Sequence, residues 1–379
     1  MIQPAAARPT RYAMLLRVFA AGLLAGLQCA CSTLGYYGQA AAGQFEIWRR
    51  ARPIETVLAH DPLEPVVRAR LVRVAEARAF AIDHLALPAG RSYTRYADLG
   101  REFVVWNVFA APALSLTPLE SCFPLVGCLD YRGFFDRARA ERHAARLRAQ
   151  RHDVFVGGVA AYSTLGWFAD PVLNTMLRWD ERRLVEIVFH ELAHRRVYLP
   201  GDTTFNESYA MAVASTGMHA WLADQGRSPA LQIEDEQREA AFLALIAETR
   251  AELAELYASA APADAQRAAK AAAFDRLRLR YAALRAQWHG DSRYDDWMAS
   301  DLNNAKLASV ATYHDRVGAF RALLTACAGD YARFHAAVER LAATPAAARA
   351  ATLDALERGV AAGPDAAGQA CRLPDSKPM

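Results

Sequence analysis

With 379 residues, 53% of them hydrophobic and 22% charged, the chain has the composition of a folded protein and the length of one large or two ordinary domains. Its 44 basic and 41 acidic residues give a formal charge of +3 and are spread along the chain rather than blocked. That pattern gives no basis for a nucleic-acid partner, so function has to be argued from a site.

In chain order, the first predicted element is a signal segment. Arg11 and Arg17 precede an apolar run from Val18 to Leu27, followed by Cys29-Ala30-Cys31. A charged start, a short apolar stretch and a small residue before a cysteine read as a secretory signal that is cleaved. The run is short for a membrane span, which needs about 20 residues. Ala30 before Cys31 fits a bacterial lipoprotein signal with Cys31 as the lipidated residue, and Ser32 is compatible with onward transport to the outer membrane. Gln28 does not fit that pattern, and cleavage nearby or an uncleaved anchor are the alternatives.

Residues 46–87 carry apolar positions at helical spacing, with Pro62 and Pro65 marking a helix start. Residues 101–119 read as a strand followed by an irregular apolar segment, and 132–150 as a charged helix. Between these, "SCFPLVGCLD" places Cys122 and Cys128 at the ends of a short loop containing Pro124 and Gly127. An exported chain meets an oxidising compartment, so a Cys122–Cys128 disulfide is expected. A metal site there would need a second pair of ligands that is absent nearby. Cys327 and Cys371 are left without an assigned pairing.

Residues 153–168 read as two short strands around Gly157-Gly158, a hairpin or bulge. A helix capped by Asp180 is expected to stop at Leu199-Pro200-Gly201, and a second to run from about Thr204 to Asp224. Residues 236–290 predict two long antiparallel helices separated at "SAAPAD", with solvated charged faces. Further helices follow 301–320, and an Ala/Gly/Pro-rich tail is expected to be disordered.

The chemistry lies in "VEIVFHELAHRRVYLPGDTTFNESYA", residues 185–210. Two histidines four apart share a helix face, so His190 and His194 can bind one ion, while Glu191 lies close enough to hold a water without being a ligand. That is the arrangement of a zinc hydrolase with Glu191 as general base. A third histidine ligand is excluded because Val197 and Pro200 stand where the extended pattern needs Gly and His. Asp202 and Glu207 are the remaining candidates. Asp202 reads more naturally as a turn or cap residue, whereas Glu207 can turn its carboxylate towards both histidines; "TFNE", Thr204 to Glu207, also matches a capping box.

"FNESYA" resembles the helix that carries the glutamate ligand in alanyl-type zinc aminopeptidases. More of the chain resembles the bacterial predicted aminopeptidases known as the Aminopep family, through "CSTLGYYGQAAAG", "LVGCLDYRGFFD", "YSTLGWFADPVL", "HELAH", "FNES" and "NNAKLASVATYHDRVGAF". It departs from that family after "FNES", where Ala214, Ser215 and Thr216 stand in place of frequent acidic residues. The resemblance implies an exported, zincin-like, zinc-dependent peptidase with His190, His194 and Glu207 as ligands and Glu191 as catalytic base. The corresponding fold is α+β and predominantly helical, with a small sheet packed on the HExxH helix and long C-terminal helices.

The domain reading is a signal segment at 1–31, an N-terminal helical layer at 32–150, a zinc-binding core at 151–230, a helical part at 231–355 and a tail at 356–379. Tyr162, Ser163, Thr164, Leu165 and Gly166 are expected to form an edge strand to which a peptide adds through its main chain. Tyr313, or His314 beside it, is a candidate donor to the oxyanion of the reaction. The leading function is a zinc aminopeptidase of the cell envelope. A non-catalytic zincin-fold lipoprotein acting as a scaffold and a zinc amidase of cell-wall peptides are the rivals, and the intact Glu191 argues against the scaffold.

Overall fold

The computed structural model describes residues 35–123, 126–164, 168–359 and 371. The signal segment with Cys31, the residues Leu165 and Gly166, and nearly all of the tail lie outside the described residues. The chain divides into two compact units, Met1–Arg49 and Arg50–Met379. In the first, helix α1 (35–50) exposes Tyr37, Phe45 and Trp48, whose spacing puts them on one helix face.

The second unit is α+β and predominantly helical. It starts with β1 (Arg52–Pro53), α2 (Ile54–His60) and α3 (Pro65–Asp83). Pro65 takes the first helical position of α3, where a missing N–H costs no hydrogen bond. Leu71, Val74, Ala77 and Phe80 recur along α3 as a buried stripe, and the helix packs on α5 (Glu181–Arg196).

The strand expected in 101–119 is β3 (Val105–Pro112), the middle strand of an antiparallel sheet ordered β6-β3-β7. Its apolar run is buried because both faces are covered. On one face α4 (Arg137–Ala149) sets Arg137 over Trp106 and His143 against Phe134. On the other, Phe109 and Ala111 pack with Ala305 of α10 (Asn304–His314).

Two expectations need correction here. Residues Tyr131–Phe134 form β6 rather than the start of a helix, and His152–Val159 form one unbroken strand, β7, rather than a hairpin. Gly157 and Gly158 sit in mid-strand opposite Asn107 and Trp106. A Cβ at Gly158 would lie 2.4 Å from the Phe103 ring, so this glycine makes room for an aromatic ring rather than for a turn. Strands β1 to β6 therefore all fall within 32–150, which is not a purely helical layer.

β4 (Ser121–Phe123) and β5 (Gly127–Leu129) form a hairpin closed by a disulfide between Cys122 and Cys128. Cys327 and Cys371 are likewise bonded. A third small sheet joins β1, β2 (Arg95–Ala97) and β8 (Val172–Leu173). The long helix pair is α7 (Ala230–Ala258) and α8 (Ala263–Gln287), held by Phe242, Leu245, Ile246 and Leu253 against Ala273, Phe274, Leu277 and Tyr281. After the short α9 (Asp295–Ala299) and α10, the helices α11 (Val317–Ala326), α12 (Tyr331–Ala342) and α13 (Ala346–Glu357) complete the unit. Among the described residues, no helix is long and apolar enough to cross a membrane.

Candidate metal centre

Helix α5 starts where Asp180 accepts a hydrogen bond from the Arg183 backbone N–H. Leu184, Val185, Val188, Phe189, Leu192 and Ala193 are fully buried, which fixes the rotation of the helix and turns His190 and His194 together to its partner α6 (Thr203–Asp224). The helix ends at Arg196, three residues before the expected stop, because Val197 is already extended. The following turn is held from the next helix. Asn206 donates from Nδ2 to the Leu199 carbonyl at 2.8 Å and accepts at Oδ1 from the Leu199 N–H at 2.7 Å.

Asp202 caps α6 by accepting from the Phe205 N–H at 3.1 Å, and its other oxygen accepts from Arg349 at 2.9 Å. Both carboxylate oxygens are thereby occupied, and Asp202 is not among the residues that converge with the histidines. The cap at Asp202 also displaces the alternative box formed by Thr204 and Glu207. Glu207 lies one turn into α6 with its side chain against α5.

The result is a compact group of three donors. His190 Nε2 and His194 Nε2 are 3.1 Å apart with the rings nearly perpendicular, at 87°. Glu207 Oε2 lies 3.2 Å from His190 Nε2 and 3.5 Å from His194 Nε2. A tetrahedral ion with bonds of about 2.0–2.1 Å holds its ligand atoms about 3.3 Å apart. The three separations match that edge, and two imidazole nitrogens with one carboxylate form a donor set suited to zinc. Among the described residues, the other group with metal-ligand chemistry is Glu120 with Cys122 and Cys128, whose sulfurs are already joined to each other. Among the described residues no group hydrogen-bonds to the buried His194 Nδ1, and the packing of α5 orients this ring.

Electrostatics divide the two glutamates. Burial alone would raise the Glu207 carboxyl, but the charge of His194 and hydrogen bonds from both imidazoles overcome it and hold Glu207 well below the usual carboxylate range. Burial pushes Glu191 up to about 7, with Glu207 and Asp170 adding to the rise and His194 opposing it. Burial draws His190 below its ordinary value. For His194 burial acts downward, and the negative charges of Glu207 and Glu191 carry it upward.

Tyr313, on α10, packs with Tyr131 and Phe155 against Phe109, Ala111 and Ala305. Burial, reinforced by the charges of Glu207, Tyr131 and Glu191, keeps its phenol protonated. The same holds for Tyr131, the first residue of the outer strand β6. Burial lowers His314 to about 4, so its imidazole is neutral near pH 7. Helix α10 is fixed at its start by two asparagines: Asn303 donates to the Val154 carbonyl of β7, and Asn304 to the carbonyls of Pro112 and Ala113. The "NNAKL" stretch is thus the anchor that sets the place of Tyr313.

The expected edge strand is not formed at Tyr162, Ser163 and Thr164, where the backbone is irregular. Asp170 holds it in that shape by accepting from the Thr164 N–H at 3.1 Å, the Thr164 hydroxyl at 2.7 Å and the Ser163 hydroxyl at 3.4 Å. Side-chain acceptors compete with ladder pairing in this way. Sequence reasoning missed Asp170, Tyr131 and Asn206. Each lay in a stretch already singled out, Asp170 in "YSTLGWFADPVL", Tyr131 in "LVGCLDYRGFFD" and Asn206 in "FNES", but nothing local gave it a role.

The family described as "putative aminopeptidase" matches residues 35–353. The chain belongs to this aminopeptidase family. Membership places it among peptidases acting on peptide substrates, and the matched span includes every donor of the metal group. No curated protein and no solved structure matches the chain.

Proposed function

We propose that this member of the aminopeptidase family is a zinc-dependent, zincin-like aminopeptidase of the bacterial cell envelope. The observation that carries the reading is the convergence of His190 Nε2, His194 Nε2 and Glu207 Oε2 at tetrahedral-edge separations, with the buried Glu191 carboxyl beside them. His190, His194 and Glu207 would hold the ion, which supplies Lewis acidity and a water made acidic enough to lose a proton near neutral pH.

The chain's own groups do the rest. Glu191 takes the proton from the attacking water and passes it to the leaving amine, the role of a buried carboxyl next to the two histidines on the same helix. Tyr313 keeps its proton at the pH of the reaction and donates a hydrogen bond to the oxygen on which negative charge develops. His314, neutral beside it, has a single N–H to offer. The irregular segment at Tyr162 to Thr164 is fixed by Asp170, whose charge also reaches Glu191.

Attachment at the envelope rests on the lipoprotein-like signal ending at Cys31. The exposed aromatic stripe of α1, which begins shortly after it, supports the same placement. Metal analysis of the purified full chain, followed by digestion of a library of free and N-acetylated peptides, tests the reading. The expected result is one zinc per chain and hydrolysis of free peptides. Absence of bound metal at saturating zinc, or turnover that survives chelation, overturns it.

A further inference from the structure

An aminopeptidase must recognise the α-ammonium group of its substrate, and an ammonium ion is recognised in a protein by a carboxylate that has no other cation to neutralise it. Apart from Glu191 and Glu207, three carboxylates bear on the elements that carry the site: Asp170, whose charge reaches Glu191, Asp202, at the start of the helix of Glu207, and Asp130, whose charge reaches Tyr131. Asp170 gives its oxygens to Ser163 and Thr164 and has the positive charge of Arg195 acting on it. Asp202 caps α6 and is paired with Arg349. The third, Asp130, is different.

Asp130 directly precedes β6 and is half-buried. One of its oxygens, Oδ2, accepts from the Thr312 hydroxyl at 3.0 Å. Among the described residues no lysine, arginine or histidine pairs with it, and the charges that reach it, from Glu120 and Asp202, are both negative. Its location is equally specific. The next residue, Tyr131, and the residue after Thr312, Tyr313, pack on the same Phe109–Ala111–Ala305 cluster. Burial raises the Tyr131 phenol, and the charges of Glu207, Glu191 and Asp130 add to the rise, so the metal ligand, the base and this unpaired carboxylate all act on one side chain. Two stretches of the sequence, "LVGCLDYRGFFD" and "NNAKLASVATYHDRVGAF", thus meet at the Asp130–Thr312 hydrogen bond.

We propose that the Asp130 carboxylate, oriented by Thr312, binds the α-ammonium group of a peptide's free N-terminus and so selects substrates with an unblocked first residue. This rests on the peptidase reading of the neighbouring metal centre. An incoming ammonium supplies the positive charge that Asp130 lacks and leaves Oδ2 bonded to Thr312. An acetylated N-terminus brings no charge and leaves the carboxylate desolvated beside a neutral amide, which is the energetic source of the discrimination.

The test uses the zinc-loaded full chain carrying Glu191→Gln, so that ligands bind without turnover, with leucinamide and N-acetyl-leucinamide as probes in titration calorimetry. Leucinamide should bind about tenfold or more tightly than its acetylated form. Adding Asp130→Asn, which can still accept from Thr312, should bring that ratio close to one without moving the melting temperature. Should the Asn variant melt early, Thr312→Val, which leaves the carboxylate in place but unfixed, should reduce the ratio instead. A preference for leucinamide that persists in both variants, or no preference in the parent, overturns the proposal. If the preference depends on Asp130 while the zinc-loaded wild-type chain cleaves no peptide, the ammonium site stands and the peptidase reading fails. If peptides are cleaved but the preference ignores Asp130, the peptidase reading stands and the ammonium site fails.

Discussion

The Asn206 side chain holds both backbone groups of Leu199, donating to its carbonyl and accepting from its N–H, and so fixes the turn that brings α6 back along α5. Asn206→Ala should lower stability by about 1–3 kcal/mol, the cost of leaving two backbone groups without partners. Because Glu207 is the next residue, zinc affinity should fall as well. Thermal melting with and without zinc checks both: the difference between the two melting temperatures should shrink in the variant. An unchanged zinc-induced shift would mean that the turn does not position Glu207.

Glu207→Gln separates ligand from cap. The cap of α6 is Asp202, so the metal-free variant should keep its helix start and lose only the contacts of Glu207 with the two histidines, a small drop in melting temperature. Zinc affinity should fall sharply, because a neutral amide replaces the anionic member of the donor set. Equilibrium dialysis against a competing chelator measures this. Asp202→Asn should behave in the opposite way, with a loss of about 1 kcal/mol or more from a weakened cap and the lost Arg349 pair, and little change in zinc affinity.

Glu191→Gln should retain zinc and fold while hydrolysis drops by about two to four orders of magnitude, since an amide cannot take the proton. Tyr313→Phe should lower kcat with little change in KM, the signature of an interaction made as charge develops rather than on binding. Unchanged kcat in the Phe variant would leave Tyr313 as a packing residue of the Phe109 cluster.

Stability should depend on pH through His335, which is fully buried between α6 and the chain after α3. Its Nε2–H donates to the Leu85 carbonyl at 2.8 Å, which leaves Nδ1 to accept from the Tyr209 hydroxyl at 2.9 Å. Burial lowers it from 6.5 to about 4, so the folded chain binds fewer protons than the unfolded one between these values. The stability associated with the neutral ring is complete above pH 6.5 and is lost as pH falls towards 4, by at most about 3 kcal/mol. His143, lowered to about 4 mainly by burial, contributes with the same sign. Melting temperatures between pH 4 and 8 should therefore fall on the acid side, and His335→Gln should flatten part of that slope.

What could be read in the sequence was what the sequence determines locally. His190, Glu191 and His194 occupy one helix whose periodicity needs no distant partner, and the long α7 and α8 pair is written in its own spacing. Asp202 was legible as a turn or cap residue and caps α6 as read, although the Thr204–Glu207 box satisfies the same local pattern. Arg349, far along the chain, engages Asp202 in the folded structure. Gly157 and Gly158 signalled a turn, since nothing nearby in sequence announces the Phe103 ring that occupies the missing side chain of Gly158. Tyr162 to Thr164 read as a strand because their side-chain pattern permits one, and Asp170 supplies the competing hydrogen bonds. Asp130 lies in "LVGCLDYRGFFD" but gains a role only when β6 and α10 are brought together.

Helix α10 packs against α6, β3, β7 and α7 at once. The residues around the metal group therefore come from segments far apart in the chain: Tyr131 before the charged helix α4, the ligands in the middle, Tyr313 after the long helix pair. A fragment covering 151–230 would contain HELAH and Glu207 but neither Tyr131 nor Tyr313, and none of α10. Mixed with its missing halves it could regain them only by refolding around them. Such a molecule has no transplantable catalytic cassette, so insertions that lengthen the α7–α8 pair would be tolerated at its far tip, Ser259–Pro262, and felt at the reaction centre if placed at its root.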